Sequence, residues 1–275
     1  MNAAVSFRRL LLVGGLLPCA GVLRAQAPAA GPAKAQVYAV VGAGRAAQFS
    51  VPQVRLADEA VAARLNHDIG RVVLSYATTP VDSVAALPKQ LRLVVAQPCC
   101  LGGVRFQTML NQGNLLSLKL TLVFNGTMYY ERTRYLVYDL STGSRVPLAA
   151  LVADSPAQLR QRLETAINRR VGEFLADTTR RAPATLATVA ERYHWNATTR
   201  RVAFGATESA ALAPPVDLDE YALTPHALLL LYRVGVPTSA LSDSPDEAYR
   251  LPYARLQAVG RLAELVKAGS PTGQH

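Results

Sequence analysis

LLSLKLTLVFNGTMYYERTRYLVYDLSTGSRVPLAAL, residues 115–151, is the stretch on which the reading of the fold depends. Leu116, Leu118, Leu120 and Leu122 alternate with Ser117, Lys119 and Thr121. This period of two predicts a strand with one face in a core and the other toward water. After the polar break Asn125-Gly126-Thr127, residues 134–139 alternate again and carry the β-formers Tyr135, Val137 and Tyr138. Asp139-Leu140-Ser141-Thr142-Gly143 then supplies turn residues and a glycine able to take positive φ, so the chain must reverse there. The expectation is an antiparallel hairpin near the centre of a sheet.

Upstream, residues 104–109 read as a further strand joined to the first through Asn111-Gln112-Gly113-Asn114, a four-residue turn. Three strands in a meander result. Residues 36–42, 49–54 and 91–95 are also strand-like, and residues 79–89 form a Pro-bounded loop. Asp58 opens a helix with Val61, Leu65, Ile69 and Val72 on its inner stripe, leaving His67 off it. Downstream, Ser155-Pro156-Ala157-Gln158 combines a serine cap, proline at the first helical position and glutamine three residues after the cap. Leu159, Leu163, Ile167 and Val171 continue it as a buried stripe, and a shorter helix follows Pro183. Residues 221–232 read as strand, turn, strand, with the Leu228 to Leu231 run covered on both faces. A last strand at 248–251 and a helix over 253–268, with Leu256, Val259, Leu262 and Val266 inward, close the chain. The predicted class is α+β: an antiparallel sheet with helices packed on it.

The 275 residues are half hydrophobic, enough for a sizeable core, and carry a formal charge of +10. Residues 1–25 have the three parts of an export signal: basic Arg8-Arg9, an apolar run from Leu10 to Leu17, and small residues before cleavage between Ala25 and Gln26. The apolar run is too short for a membrane-spanning helix, so none is expected in the mature chain. Residues 26–35 have linker composition. The expected location is periplasmic or extracellular, with lipid anchoring through Cys19 as the lesser alternative, since Pro18 is a poor residue before a lipidated cysteine. Arginines cluster at 160/162, 169–170, 180–181 and 200–201 without aromatic interleaving or a nucleic-acid motif. The clusters read as a solvated basic face; nucleic acid is not an expected partner, and an acidic polymer or anionic wall component is the partner such a face would suit.

Adjacent Cys99 and Cys100 leave three readings open, a strained disulfide between neighbours, two buried thiols, or one thiol pairing with another molecule, because their Cα atoms are only ~3.8 Å apart. No C-x-x-C, G-x-S-x-G or H-E-x-x-H is present, and His67, His194, His226 and His275 fall in no catalytic pattern. The acidic run from Asp217 to Glu220 lacks EF-hand spacing and reads as a solvated loop. No metal, catalytic residue or cofactor is expected. The one enzymatic alternative is an envelope-acting hydrolase in which carboxylates such as Glu131, Asp139 and Glu191 pair in space.

Several of these segments resemble the RsiV/PdaC-type extracytoplasmic domain, found in lysozyme-sensing anti-sigma factors and in PdaC-like peptidoglycan deacetylases. The likeness is carried by residues 114–118, Tyr135-Leu136-Val137-Tyr138-Asp139 through Gly143, Val146-Pro147-Leu148 with Leu151, residues 221–225 with Leu228-Leu229, and Leu251-Pro252-Tyr253 with Leu256. It divides the chain into an N-terminal α+β subdomain over 36–103, the family-like subdomain over 104–268 and a tail over 269–275. It implies a stand-alone binding module of the cell envelope, with a peptidoglycan fragment or a wall-directed protein such as lysozyme as partner. The family loop between the central strands usually carries Gly-Ala-His or Gly-Ala-Tyr; Gly126-Thr127-Met128 stands there instead. By that position the resemblance puts the binding surface at Met128, Tyr129, Tyr130, Glu131 and Arg132.

Overall fold

The computed structural model describes residues 34–41, 48–75, 101–125, 129–205, 213–234 and 244–269. The segment read as an export signal, with Cys19, Ala25 and Gln26, the 79–89 and 91–95 segments, Cys99, Cys100, Met128 and residues 270–275 lie outside the described residues. The fold is α+β. Strands β1 (Gln36–Val41) and β2 (Ser50–Arg55) pair antiparallel. Helix α1 (Glu59–Leu74) follows, capped by Asp58, whose carboxylate accepts from the Ala60 and Val61 N–H groups at 2.9 and 3.0 Å. Val61, Leu65 and Ile69 are buried as their spacing predicts, with Val73 rather than Val72 completing the stripe, and His67 is exposed.

The predicted meander is present: β3 (Leu101–Gln112), β4 (Leu115–Asn125) and β5 (Tyr129–Asp139) pair antiparallel in that order. Its first turn is shorter than expected. Asn111 and Gln112 remain in the ladder opposite Leu116 and Leu115, and Gly113-Asn114 alone reverse the chain with φ of 63° and 61°. Two left-handed residues give the turn whose twist matches that of the flanking strands. The second loop is shorter too: β5 begins at Tyr129, not Arg134, because Tyr129, Tyr130, Glu131 and Arg132 pair with Asn125, Phe124, Val123 and Leu122. Gly143 takes the positive φ anticipated for it, 73°, and a Cβ there would sit 2.7 Å from the Val61 carbonyl.

β4 is covered on both faces, which corrects the expectation of one wet face. Leu116, Leu118, Leu120, Leu122 and Phe124 join Leu136 and Tyr138 against α1 and β2. On the opposite face Ser117 is fully buried and its Oγ accepts from the Leu223 N–H at 3.0 Å, while Lys119 and Thr121 are half-buried. The cover is a second antiparallel sheet of β8 (Tyr221–Leu223), β9 (Ala227–Leu231) and β10 (Ala248–Pro252). Ahead of it in the chain come α2 (Pro156–Ala176), α3 (Pro183–Arg192) and the short pair β6 (Trp195–Asn196) and β7 (Arg201–Val202). Ala222, Leu229 and Leu231 pack with Tyr135 of β5. Leu228 and Leu230 turn the other way, into the cluster formed by Leu159, Leu163, Ile167 and Val171 of α2. All five residues of β9 are therefore buried, as a strand covered on both faces should be.

α2 starts with the predicted capping box: Ser155 Oγ accepts from the Gln158 N–H at 3.2 Å and Gln158 Oε1 accepts from the Ser155 N–H at 2.9 Å. Trp195 packs against the α2 cluster and serves the core. The helix expected over 253–268 is α4 (Gly260–Gly269), with Leu262 and Leu265 buried. It starts late because residues 257–259 are engaged elsewhere. The Gln257 N–H donates to Asp154 Oδ2, its carbonyl accepts from Ala153, and the Val259 N–H donates to the Leu151 carbonyl. Among the described residues no helix is long and apolar enough to cross a membrane.

α1 is tied to the meander through Asp68. The Tyr138 hydroxyl and Arg145 Nε both donate to Asp68 Oδ2, at 2.8 and 2.5 Å, and Arg71 donates to Oδ1 at 2.8 Å. Burial works against ionisation of Asp68, but the hydrogen bonds from Arg71, Arg145 and Tyr138 outweigh it and hold the carboxyl below its ordinary range. Burial, and then the Asp68 charge, push the Tyr138 phenol upward.

Candidate functional site

β5 is an edge strand of the meander, and the backbone groups on its outer side need partners. Toward its C-terminal end they have them. The Val137 carbonyl accepts from the Val146 N–H at 2.9 Å, the Tyr135 N–H donates to Glu220 Oε2 at 3.3 Å, and the Thr133 carbonyl accepts from Arg233. Glu220 also pairs with Arg134 at 2.8 Å, and Arg233 lies 3.6 Å from Glu247. Burial pushes the Glu247 carboxyl up, with Arg233 offsetting this in part. Side chains bordering β8 and β9 thus close this part of the edge and position the surface beyond it.

Beyond Thr133 the strand borders a cleft of about 750 Å³. Tyr130, Glu131 and Arg132 of β5 line it together with Arg160 of α2 and the Pro214-Pro215 and Asp217 segment. Leu231 and Tyr232, 6% and 2% exposed, form its base. Guanidinium and carboxylate groups are mixed along the lining, since Arg134, Glu220 and Arg233 also reach it. A ligand bearing both charges, or neutral hydroxyl and amide groups, finds complementary partners there.

The tyrosines at its rim are ordered yet accessible. Tyr129 and Tyr130 are each 48% exposed. The Tyr130 ring stacks on Phe124 with centroids 4.6 Å apart and planes 7° apart. The Tyr129 hydroxyl donates to Glu131 Oε1 at 2.5 Å, and the same oxygen accepts from Arg105 at 2.5 Å. That bond to Glu131 raises the Tyr129 phenol, so it stays protonated as a donor. Aromatic side chains held in one geometry lose little entropy on binding.

Of the residues expected at this surface, Tyr130, Glu131 and Arg132 line the cleft and Tyr129 flanks it on the same strand, while Met128 falls outside the described residues. Arg134, Arg160, Asp217, Glu220 and Arg233 complete the lining and were not anticipated. The acidic run was read only as a solvated loop; Asp217 does cap its own turn at Asp219 N, but Glu220 is drawn in by Arg134. Of the carboxylates named for a hydrolase, Glu131 and Asp139 do not meet. Glu131 and Asp139 are eight residues apart on one strand, about 26 Å at ~3.3 Å per residue, and Glu191 is an exposed residue of α3. Among the described residues no group of three or more His, Cys, Asp or Glu side chains gathers in a metal-holding arrangement.

The fold has counterparts among solved structures. A DUF3298 family protein from Pseudomonas aeruginosa PAO1 superposes with a TM-score of 0.51 at 15% identity, covering 84% of this chain and 95% of that one. The likeness is one of fold. A DUF3298 member from Bacteroides fragilis gives a TM-score of 0.43 at 11% identity, over 86% of this chain and 96% of that one. No protein-family model matches the chain, and no curated protein does.

Proposed function

We propose that the chain is an exported binding module of the bacterial cell envelope whose β5 cleft takes a peptidoglycan fragment. The observation that carries this reading is the cleft itself, with half-exposed Tyr130 in its lining, half-exposed Tyr129 next to it on β5, and mixed guanidinium and carboxylate groups within. Sugar rings stack on aromatic faces, stem-peptide carboxylates suit Arg132 and Arg160, and free amino groups suit Asp217. The fold shared with a DUF3298 protein and the RsiV/PdaC-type likeness in sequence support an extracytoplasmic module. The export signal supports the location. The same exposed tyrosines beside charged groups also have the composition of a protein interface, which keeps a wall-directed protein such as lysozyme as the second reading.

Calorimetric titration with a muramyl disaccharide-peptide and, separately, with lysozyme distinguishes the two. The expected result is saturable binding of the muropeptide, weakened at least about tenfold, or ~1.4 kcal/mol, in a Tyr129→Ala, Tyr130→Ala variant whose melting temperature is nearly kept. Binding of lysozyme alone would move the assignment to the second reading. Binding of neither would remove both.

A further inference from the structure

We propose that the groove between α2 and β10 is a second site, one that binds a phosphate-bearing ligand. Arg162 and Arg169, two helical turns apart, lie on one face of α2; Arg250 of β10 and Arg255 of the following 3₁₀ turn (Tyr253–Arg255) complete the lining charges. Four guanidinium groups therefore surround about 460 Å³, with Leu251 and Pro252 supplying an apolar surface. None of its described lining residues is acidic.

The walls are fixed from outside the groove. Arg162 donates to the Arg255 carbonyl and pairs at 2.8 Å with Asp154, whose side chain is fully buried. Arg170 donates to the Asp246 and Ala248 carbonyls at 2.5 and 2.8 Å, its guanidinium 4.1 Å from the Tyr249 ring centroid. These clamps hold β10 against α2 at both ends of the groove, so little reorganisation is needed on binding. The remaining charge is poorly compensated. Arg169 has Glu173 at 3.9 Å, both side chains more than 70% exposed, a geometry that contributes little, and Arg250 and Arg255 form no ion pair among the described residues.

With Arg162 balanced by Asp154 and Arg169 only weakly by Glu173, the excess charge of Arg169, Arg250 and Arg255 favours an anion that neutralises several at once. A carboxylate brings one negative charge. A phosphate monoester brings about −1.5 to −2 and three acceptor oxygens, which the planar guanidinium fork matches. The volume lies in the ~300–1,000 Å³ range of small-molecule sites, so the groove accommodates a sugar phosphate and not merely the bare ion. This inference uses residues separate from the β5 cleft and does not depend on the muropeptide reading.

The test is titration of the full chain with glucose 1-phosphate, with inorganic phosphate and with glucose, alongside sedimentation with vesicles of phosphatidylglycerol and of phosphatidylcholine. Glucose 1-phosphate should bind, glucose should not, and affinity should fall as salt rises. An Arg250→Glu, Arg255→Glu variant, which changes exposed side chains and leaves the Arg255 carbonyl of the Arg162 clamp in place, should bind at least about tenfold more weakly. If that variant does not fold, Arg169→Glu on the exposed face of α2 carries the same expectation. Charge-dependent sedimentation with phosphatidylglycerol that the variant loses would assign the phosphate to a lipid headgroup and support the site. Equal binding by wild type and variant, or no binding of any phosphate probe at about 10 mM, would overturn it.

Discussion

Ser117 is the residue at which the two sheets are joined by a single hydroxyl. It is fully buried in the central strand, and its Oγ is the acceptor for the Leu223 N–H. Ser117→Ala leaves that buried N–H without its acceptor, a loss expected to cost about 1–3 kcal/mol in urea unfolding. A midpoint unchanged from wild type would mean that the hydroxyl contributes nothing to the junction. The residue also marks a limit of the sequence reading. Alternation placed Ser117 correctly opposite the leucine face, but whether that face meets water depends on what arrives more than 100 residues later. That Tyr129 and Tyr130 belong to a strand was equally hidden, since the run Tyr129-Tyr130-Glu131-Arg132 has no alternation to announce one.

Elements with local signals were legible. Asp58 and the Ser155 to Gln158 box announce α1 and α2 because a helix cap uses side chains within three residues. The Gly143 reversal was announced by a glycine, which takes a φ of 73° without strain and leaves room for the Val61 carbonyl. The helix expected from Tyr253 starts only at Gly260, because hydrogen bonding of residues 257–259 to residues 151–154 competes with helix formation before it. The tie between α1 and the meander likewise rests on residues far apart in sequence. Asp68 gathers Arg71, Tyr138 and Arg145, and its carboxyl is held below the ordinary value of 3.8. A depressed folded value contributes stability that is present above the unfolded value and is lost as pH falls through the folded one. Asp68→Asn should therefore lose about 2–3 kcal/mol at pH 7 and show a shallower decline of stability below pH ~4. An acid limb identical to wild type in pH-dependent urea melts would contradict this role.

On the scale of the whole molecule, two sheets pack face to face, and the cleft lies where the end of β5 extends past the side chains that close the rest of its edge. Its lining comes from β5, α2, the segment before β8 and the residues after β9. No local pattern joins Glu131 to Arg160 or Asp217, so only the β5 part of the site was visible in the sequence. The net charge of +10, or +7 without Arg8, Arg9 and Arg24 of the segment read as an export signal, favours approach of an acidic wall fragment to either arginine-bearing surface, and site-resolved data separate them. The most direct measurement is amide chemical-shift mapping of the isotope-labelled chain during titration with a muramyl disaccharide-peptide. Saturable shifts concentrated at residues 129–132, 160 and 214–220 are the predicted result; shifts confined to the α2–β10 groove, or none at a saturating concentration of the fragment, would contradict it.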